Sequence, residues 1–128
     1  MRFGLAAWHR AMLAGCPDEL LIDLLADEAV FHSPVLHTPQ QGKEAVALHL
    51  GAICRAIGTT GFTYVRELVD GAEAALEFTA QIDGVEMSGV HLIRFDLEGR
   101  IVDFTVLVRP FDAADRLWRK MAEALQDE

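Results

Sequence analysis

The hydrophobic period changes half-way along this chain, and that change limits the fold more than any other feature. Up to Ile57 the apolar residues recur at helical spacing; from Phe62 they alternate. Leu5, Trp8 and Met12 predict a first helix over residues 2–14, which Gly15-Cys16-Pro17 breaks. Leu20, Leu21, Leu24 and Leu25 form the apolar stripe of a second helix starting at Pro17 or Asp18. Ala29 to Ser33 predicts a short strand ended by Pro34, and the stretch to Gly42 predicts a loop. Val46, Leu50, Ile53 and Ile57 mark a third helix that Gly58 terminates. In the second half, Phe62 to Val69, Ala74 to Ile82, Val85 to Phe95 and Ile101 to Val108 predict four strands. Asp70-Gly71, Asp83-Gly84 and Glu98-Gly99 supply the hairpin turns between them. Leu117, Met121 and Leu125 mark a final helix after Pro110.

Helices followed by an antiparallel meander imply an α+β fold. The 128 residues make one domain, residues 1–128, able to bury one core without staples. Such a sheet needs one apolar face for the helices to cover. Val85, Met87, Gly89, His91, Ile93 and Phe95 share a face by strand parity, as do Val102, Phe104, Val106 and Val108; these are assigned to the covered side. Val90, Leu92, Thr105 and Leu107 fall on the other side, flanked by Glu86, Arg94 and Arg109. An exposed patch of that kind marks an interface.

Charge and cysteine usage exclude several classes of partner. The formal net charge of -9 repels phosphate backbones and anionic lipid heads, which argues against nucleic acid and membrane surfaces. Cys16 and Cys54 are too few for a disulfide framework and lack zinc spacing, so both read as free thiols in a reducing cytoplasm. Leu13-Ala14-Gly15-Cys16 matches a lipoprotein cleavage box, but His9 and Arg10 interrupt the apolar run that a signal peptide needs. No pair of histidines has the spacing of a helical metal pair, and no metal or cofactor is expected.

Two segments carry a family resemblance. LLADEAVFHSP, followed by HTPQQGKEAV, places an acidic pair, a short strand, a proline and a helix-opening glycine in order; GVHLIRFDLEGRIVDFTVLVRP is similar to a final hairpin. With the order of elements, the chain resembles the nuclear transport factor 2-like superfamily. The resemblance implies a curved antiparallel sheet, the four-stranded meander plus the short N-terminal strand, wrapped around helices as a cone with a pocket. That superfamily holds ketosteroid isomerases, epoxide-hydrolase-like enzymes, SnoaL-like cyclases, dehydratases and non-enzymatic binders, so it specifies fold better than function. Its members commonly dimerise through the convex sheet face.

Residue by residue, the resemblance puts Ser33 where the isomerases carry their general-base aspartate, His9 at the oxyanion-hole tyrosine and His91 at the protonated aspartate. A serine cannot take a carbon-bound proton as a carboxylate does, so the isomerase mechanism is not expected. The candidate catalytic residues are therefore His91, as acid/base or hydrogen-bond donor, with His9 and Ser33 orienting the substrate. Phe31, Phe78, Met87, Gly89, Phe104, Val106 and Val108 are the expected ligand-binding wall, with Gly89 leaving room for the ligand. Each of these has a plainer reading: His91 as a satisfied core residue, Ser33 as a turn cap, and His9 as surface. His32 is expected to point away from the pocket, Asp96 and Asp103 to be solvated, and Arg109 to sit at the surface. The expected partner is a small apolar, oxygen-bearing molecule acted on by a lyase, isomerase or hydrolase. The alternative is a non-catalytic binding or interaction domain.

Overall fold

The computed structural model describes residues 2–57 and 61–126. The elements run α1 (Arg2–Leu13), α2 (Asp18–Leu24), β1 (Leu25–His32), β2 (Gln40–Gln41), α3 (Lys43–Ile57), β3 (Thr63–Asp70), β4 (Glu73–Ile82), β5 (Val85–Phe95), β6 (Ile101–Arg109) and α4 (Phe111–Gln126). Gly58, expected to end α3, lies outside the described residues. Among these elements no helix is long and apolar enough to cross a membrane.

The six strands form one curved, unclosed sheet in the order β2-β1-β6-β5-β4-β3. The meander β3 to β6 is antiparallel throughout, as the turn signals require. Asp83 and Gly84 close the β4–β5 hairpin with φ of 52° and 78°, leaving Ile82 paired with Val85. Two consecutive left-handed residues match the twist of the flanking strands, and Asp-Gly is a sequence that tolerates them.

The N-terminal strand departs from expectation in three ways. It pairs parallel to β6, so the sheet is mixed. A chain returning through α3 and the whole meander can arrive in either direction, which a hairpin cannot. It also begins at Leu25, whose backbone is already extended (φ -94°, ψ 138°), so the last leucine of the expected helical stripe is a strand residue. The third departure is β2, two residues of the expected loop that pair with Val30 and Phe31.

Parity places the core. Leu76, Phe78, Ile82, Met87, His91, Ile93, Phe95, Phe104 and Val106 are all buried on the concave face with Phe31 of β1. α3 packs against β1, while α4 packs on α3 and on β4, β5 and β6, inserting Ala113, Leu117 and Met121. Lys120 and Arg116 on the outer side of α4 reach Asp83 of the β4–β5 turn at 3.0 and 3.9 Å.

Besides an irregularity between β1 and β6 after Leu25, two bulges shift the parity within the meander. Between β5 and β6 the register moves so that Phe95 pairs with Ile101; Ile101 is buried, and Val102, assigned to the covered face, is half-buried. Between β3 and β4 the extra residue is Val65. Tyr64 therefore faces the core opposite Phe78, and Glu67, opposite the inward Leu76, turns toward the α1 side while Arg66 turns out.

Phe104 is fully buried between Trp8, Phe31 and His91, with ring centroids 4.9, 6.1 and 5.1 Å away. Phe104→Ala is expected to cost about 3–5 kcal/mol, read as a lower midpoint in urea unfolding at unchanged slope.

Candidate functional site

Among the described residues His91 is the one buried polar side chain, 2% exposed. β5 carries it into the concave face, where apolar neighbours from α1, β4, β6 and the segment leading into β3 surround it. Phe78 and Phe104 lie nearest, with centroids 4.7 and 5.1 Å from the imidazole, and Trp8 and Phe62 complete the enclosure at 6.0 and 6.2 Å. Its one polar neighbour in this cage is Tyr64, whose hydroxyl lies 2.7 Å from Nδ1.

Hydrogen-bond inventory constrains the protons. The indole of Trp8 donates to the Tyr64 oxygen at 3.0 Å, because an indole N–H can only donate. With that bond accepted, directing the one tyrosine O–H at His91 Nδ1 satisfies the hydroxyl completely, an arrangement in which Nδ1 accepts and the neutral ring carries its proton at Nε2. Burial acts the same way: it holds the His91 pKa down at about 3. Burial also raises the Tyr64 pKa far above its ordinary value, against the smaller lowering effect of the Trp8 bond. The result is a directed chain, Trp8 to Tyr64 to His91, joining α1, β3 and β5.

The other two candidate residues stand apart from this chain. His9 Nε2 meets Glu67 Oε1 at 2.7 Å, and both side chains are partly exposed. The His9 ring rests edge-on to Tyr64, with centroids 5.4 Å apart, so the tyrosine stands between His9 and His91. The Val65 bulge explains this, since it presents Glu67 to α1. Ser33 is half-buried and its hydroxyl accepts the Val35 N–H at 3.2 Å, the turn cap of the plainer reading.

The expected wall residues share the concave face: Phe31, Phe78, Met87, Phe104 and Val106 are buried, and Val108 is half-buried. Gly89 does something other than leave room. A Cβ there would fall on the Leu107 carbonyl oxygen and within 2.7 Å of the Phe78 ring. The missing side chain admits Phe78, which closes the cage over His91. His91 lines none of the surface clefts formed by Leu68, Leu92 and Arg94, by Met87, Ser88 and Arg109, by Asp83 and Arg116, or by Leu5 and Phe95.

The remaining histidines fall outside the cage. His32 points to the convex side, as parity requires, and meets Asp103 at 3.3 Å. His37 is exposed in the loop. His49 on α3 keeps Nδ1 buried without a partner, and burial lowers its pKa.

Tyr64 and Trp8 are the members of this hydrogen-bonded chain that the sequence did not single out as site candidates. Tyr64 is the chain's one tyrosine and alternates with Phe62, a parity that directs both inward. Trp8 showed only as a member of a helical stripe.

A family model described as a SnoaL-like domain matches residues 5–104. The chain belongs to the SnoaL-like family, within the nuclear transport factor 2-like superfamily. A solved structure described as a steroid delta-isomerase from Pseudomonas aeruginosa is 36% identical, with TM-score 0.91 over 98% of this chain and 91% of that one. A bacterial protein described as having a cystatin-like fold, from Silicibacter pomeroyi, is 27% identical, with TM-score 0.90 over 98% and 86% of the two chains. A putative isomerase from Rhodopseudomonas palustris, at 17% identity and TM-score 0.69 over 91% and 96%, shares the fold. No curated protein matches the chain.

The His91 pKa in this SnoaL-like domain has a signed consequence for stability. The folded value of about 3 lies below the ordinary 6.5 that the unfolded chain approaches. As pH falls through that window the unfolded state binds a proton that the folded state refuses, so stability declines by up to about 1.4 kcal/mol per pH unit. Between about pH 7 and pH 5, wild type is expected to lose more stability than His91→Gln, and ring nitrogen NMR shifts should report a neutral His91 throughout. Both proteins keep His49, so its own contribution cancels in the comparison. Equal losses would mean that the buried ring takes up its proton in the folded state.

Proposed function

We propose that this SnoaL-like domain takes a small apolar molecule bearing a carbonyl or hydroxyl oxygen into the cone, and acts on it as an isomerase or lyase by proton transfer. Tyr64 is the donor and His91 the acceptor. The observation that carries this reading is the 2.7 Å hydrogen bond between them inside an otherwise apolar aromatic cage.

A donor and an acceptor satisfied only by each other become available together when a ligand parts them. A substrate carbonyl would accept the Tyr64 hydroxyl, with the Trp8 N–H still on the tyrosine oxygen. His91 Nδ1 would then be free to accept a proton. A donor aimed at developing oxyanion charge in a water-excluded site stabilises it more than the same donor would in water. Because His91 is a weak base here, the proton it removes must be acidified by conjugation with that carbonyl. With a serine at position 33, the carboxylate route to 5-ene-3-ketosteroid isomerisation is not expected. The likeness to a protein described as a steroid delta-isomerase supports proton transfer as the reaction class. Apolar walls would supply most of the affinity, at roughly 25 cal/mol per Å² buried.

The near-complete enclosure of His91 favours a second reading, in which the cone is a packed core and the domain binds or assembles without turnover. Trp8 distinguishes the two readings. It is fully buried against the cage, whereas Trp118 on α4 is 47% exposed, so a Trp118→Phe background isolates the Trp8 fluorescence. Titration with a panel of cyclic and conjugated ketones is expected to give saturable quenching and, for at least one member, turnover. Tyr64→Phe should then lower turnover about 10²-fold or more while the fold persists. A wild-type protein that neither copurifies with a ligand nor quenches with any ketone would leave the packed-core reading.

The proposal includes a homodimer joined by the convex sheet face. Val65, Leu68, Leu92 and Leu107 are exposed there, with Val90 and Thr105 half-buried between them. A standard interface would bury about 1,600 Å² in total. Sedimentation at micromolar concentration is expected to give a dimer, and Leu107→Glu a monomer.

A further inference from the structure

Away from the aromatic cage, three sulfur atoms converge where the turn after α1 meets α3. The turn ends with Cys16, a non-glycine residue at φ 53° whose N–H returns to the Ala11 carbonyl at 2.8 Å. Its thiol donates to Met12 Sδ at 3.4 Å, and Cys54 on α3 donates to the same sulfur at 4.0 Å. Sharing that one acceptor brings the two thiols close enough for each to influence the other's protonation. Beside them Arg55, held by Asp18 at 3.4 Å, adds a positive charge.

Buried cysteines are ordinarily small core residues. This pair differs in having a thiol partner and a cation rather than a purely apolar surround. The Cys54 thiol lowers the Cys16 pKa by more than burial raises it, with Arg55 contributing, while the Cys16 thiol and burial both raise that of Cys54. Arg55 favours the thiolate at either sulfur, and Cys16, on the turn between the helices, is the thiol that a local opening presents first. Cys16 is buried, but it follows the exposed residues Leu13, Ala14 and Gly15, so opening of one turn bares it. Cys54 is half-buried.

We propose that Cys16 and Cys54 form a modification site, a dithiol that converts reversibly to an intramolecular disulfide in exchange with a small-molecule disulfide. The Cys16 thiolate attacks one sulfur of the small disulfide, breaking its S–S bond and releasing one thiolate. The Cys54 thiol loses its proton and attacks Cys16 in the mixed disulfide, forming the protein S–S bond and releasing the second thiolate. Two protein thiols are oxidised, one small disulfide is reduced to two thiols, and the protons from Cys16 and Cys54 end on the released sulfurs. The new bond would join the α1–α2 turn to α3, beside Met12 at the end of α1.

The test uses the full chain, folded and reduced, exposed to oxidised glutathione, then alkylated in denaturant and weighed intact. Wild type is expected to become roughly 2 Da lighter, to take no alkyl groups and to yield one peptide linking Cys16 to Cys54, all reversed by dithiothreitol. Cys54→Ser and Cys54→Ala, checked for fold by circular dichroism, should stop at a glutathione adduct on Cys16. Oxidised wild type is also expected to melt several degrees higher than reduced. Two alkyl groups on wild type, disulfides only between chains, or a stable glutathione adduct on wild type as on the variants would each overturn the proposal. So would a Cys16–Cys54 peptide that forms only when oxidation is carried out in denaturant.

Discussion

One buried imidazole constrains the rest of this molecule. A polar ring placed in an apolar core costs several kcal/mol unless it is hydrogen-bonded, and His91 is satisfied from β3 by Tyr64, itself fixed by Trp8 on α1. Three elements distant in sequence are therefore held in one register. The bulge at Val65, the missing side chain at Gly89 and the packing of Phe78 and Phe104 can all be understood as what is needed to bring a tyrosine hydroxyl and an indole N–H to that ring and keep water out.

The same chain of donors sets the chemistry that the fold can support. In this SnoaL-like domain the position that matches the isomerases' carboxylate is a serine committed to its own turn, and the position that matches their oxyanion tyrosine is a histidine paired outward with Glu67. A tyrosine hydroxyl is nevertheless present in the cone, delivered by a strand instead of a helix. Hydrogen-bonding capacity has been kept inside the cone while the residues supplying it differ from the family pattern, consistent with function residing in the site rather than the fold.

Much of the architecture was legible in the sequence because parity is a strict rule. Once Met87, His91 and Phe95 share a face with Gly89 and Ile93, a meander with X-Gly turns can bury only that face. Parity fails where the ladder gains a residue, which is why Val102 and Ile101 exchange roles and why Glu67 rather than Arg66 approaches α1. The direction of β1 was not legible, because a strand reached by a long excursion carries no local sign of its orientation. In the site, His91 was visible as a polar residue on an apolar face. Its partner was not, since inward parity at Tyr64 says nothing of which atom across the sheet the hydroxyl will meet. His9 and Ser33 came from the family pattern alone, and their side chains found nearer partners.

The strand that delivers Tyr64 is the outermost of the sheet, with β4 as its one strand neighbour and most of its side chains exposed. Edge strands have the fewest cross-strand bonds and open at the lowest free energy in a fold, well before global unfolding. Tyr64 therefore sits on an edge of the sheet, where strands fray, while His91 sits on a strand bonded along both sides. An excursion of β3 would break the Tyr64–His91 bond while leaving β5 paired on both sides. Backbone amides around Tyr64 should exchange with solvent much faster than those around His91, and the lifetime of the edge, rather than any rearrangement of the core, would set how often the interior of the cone meets the outside.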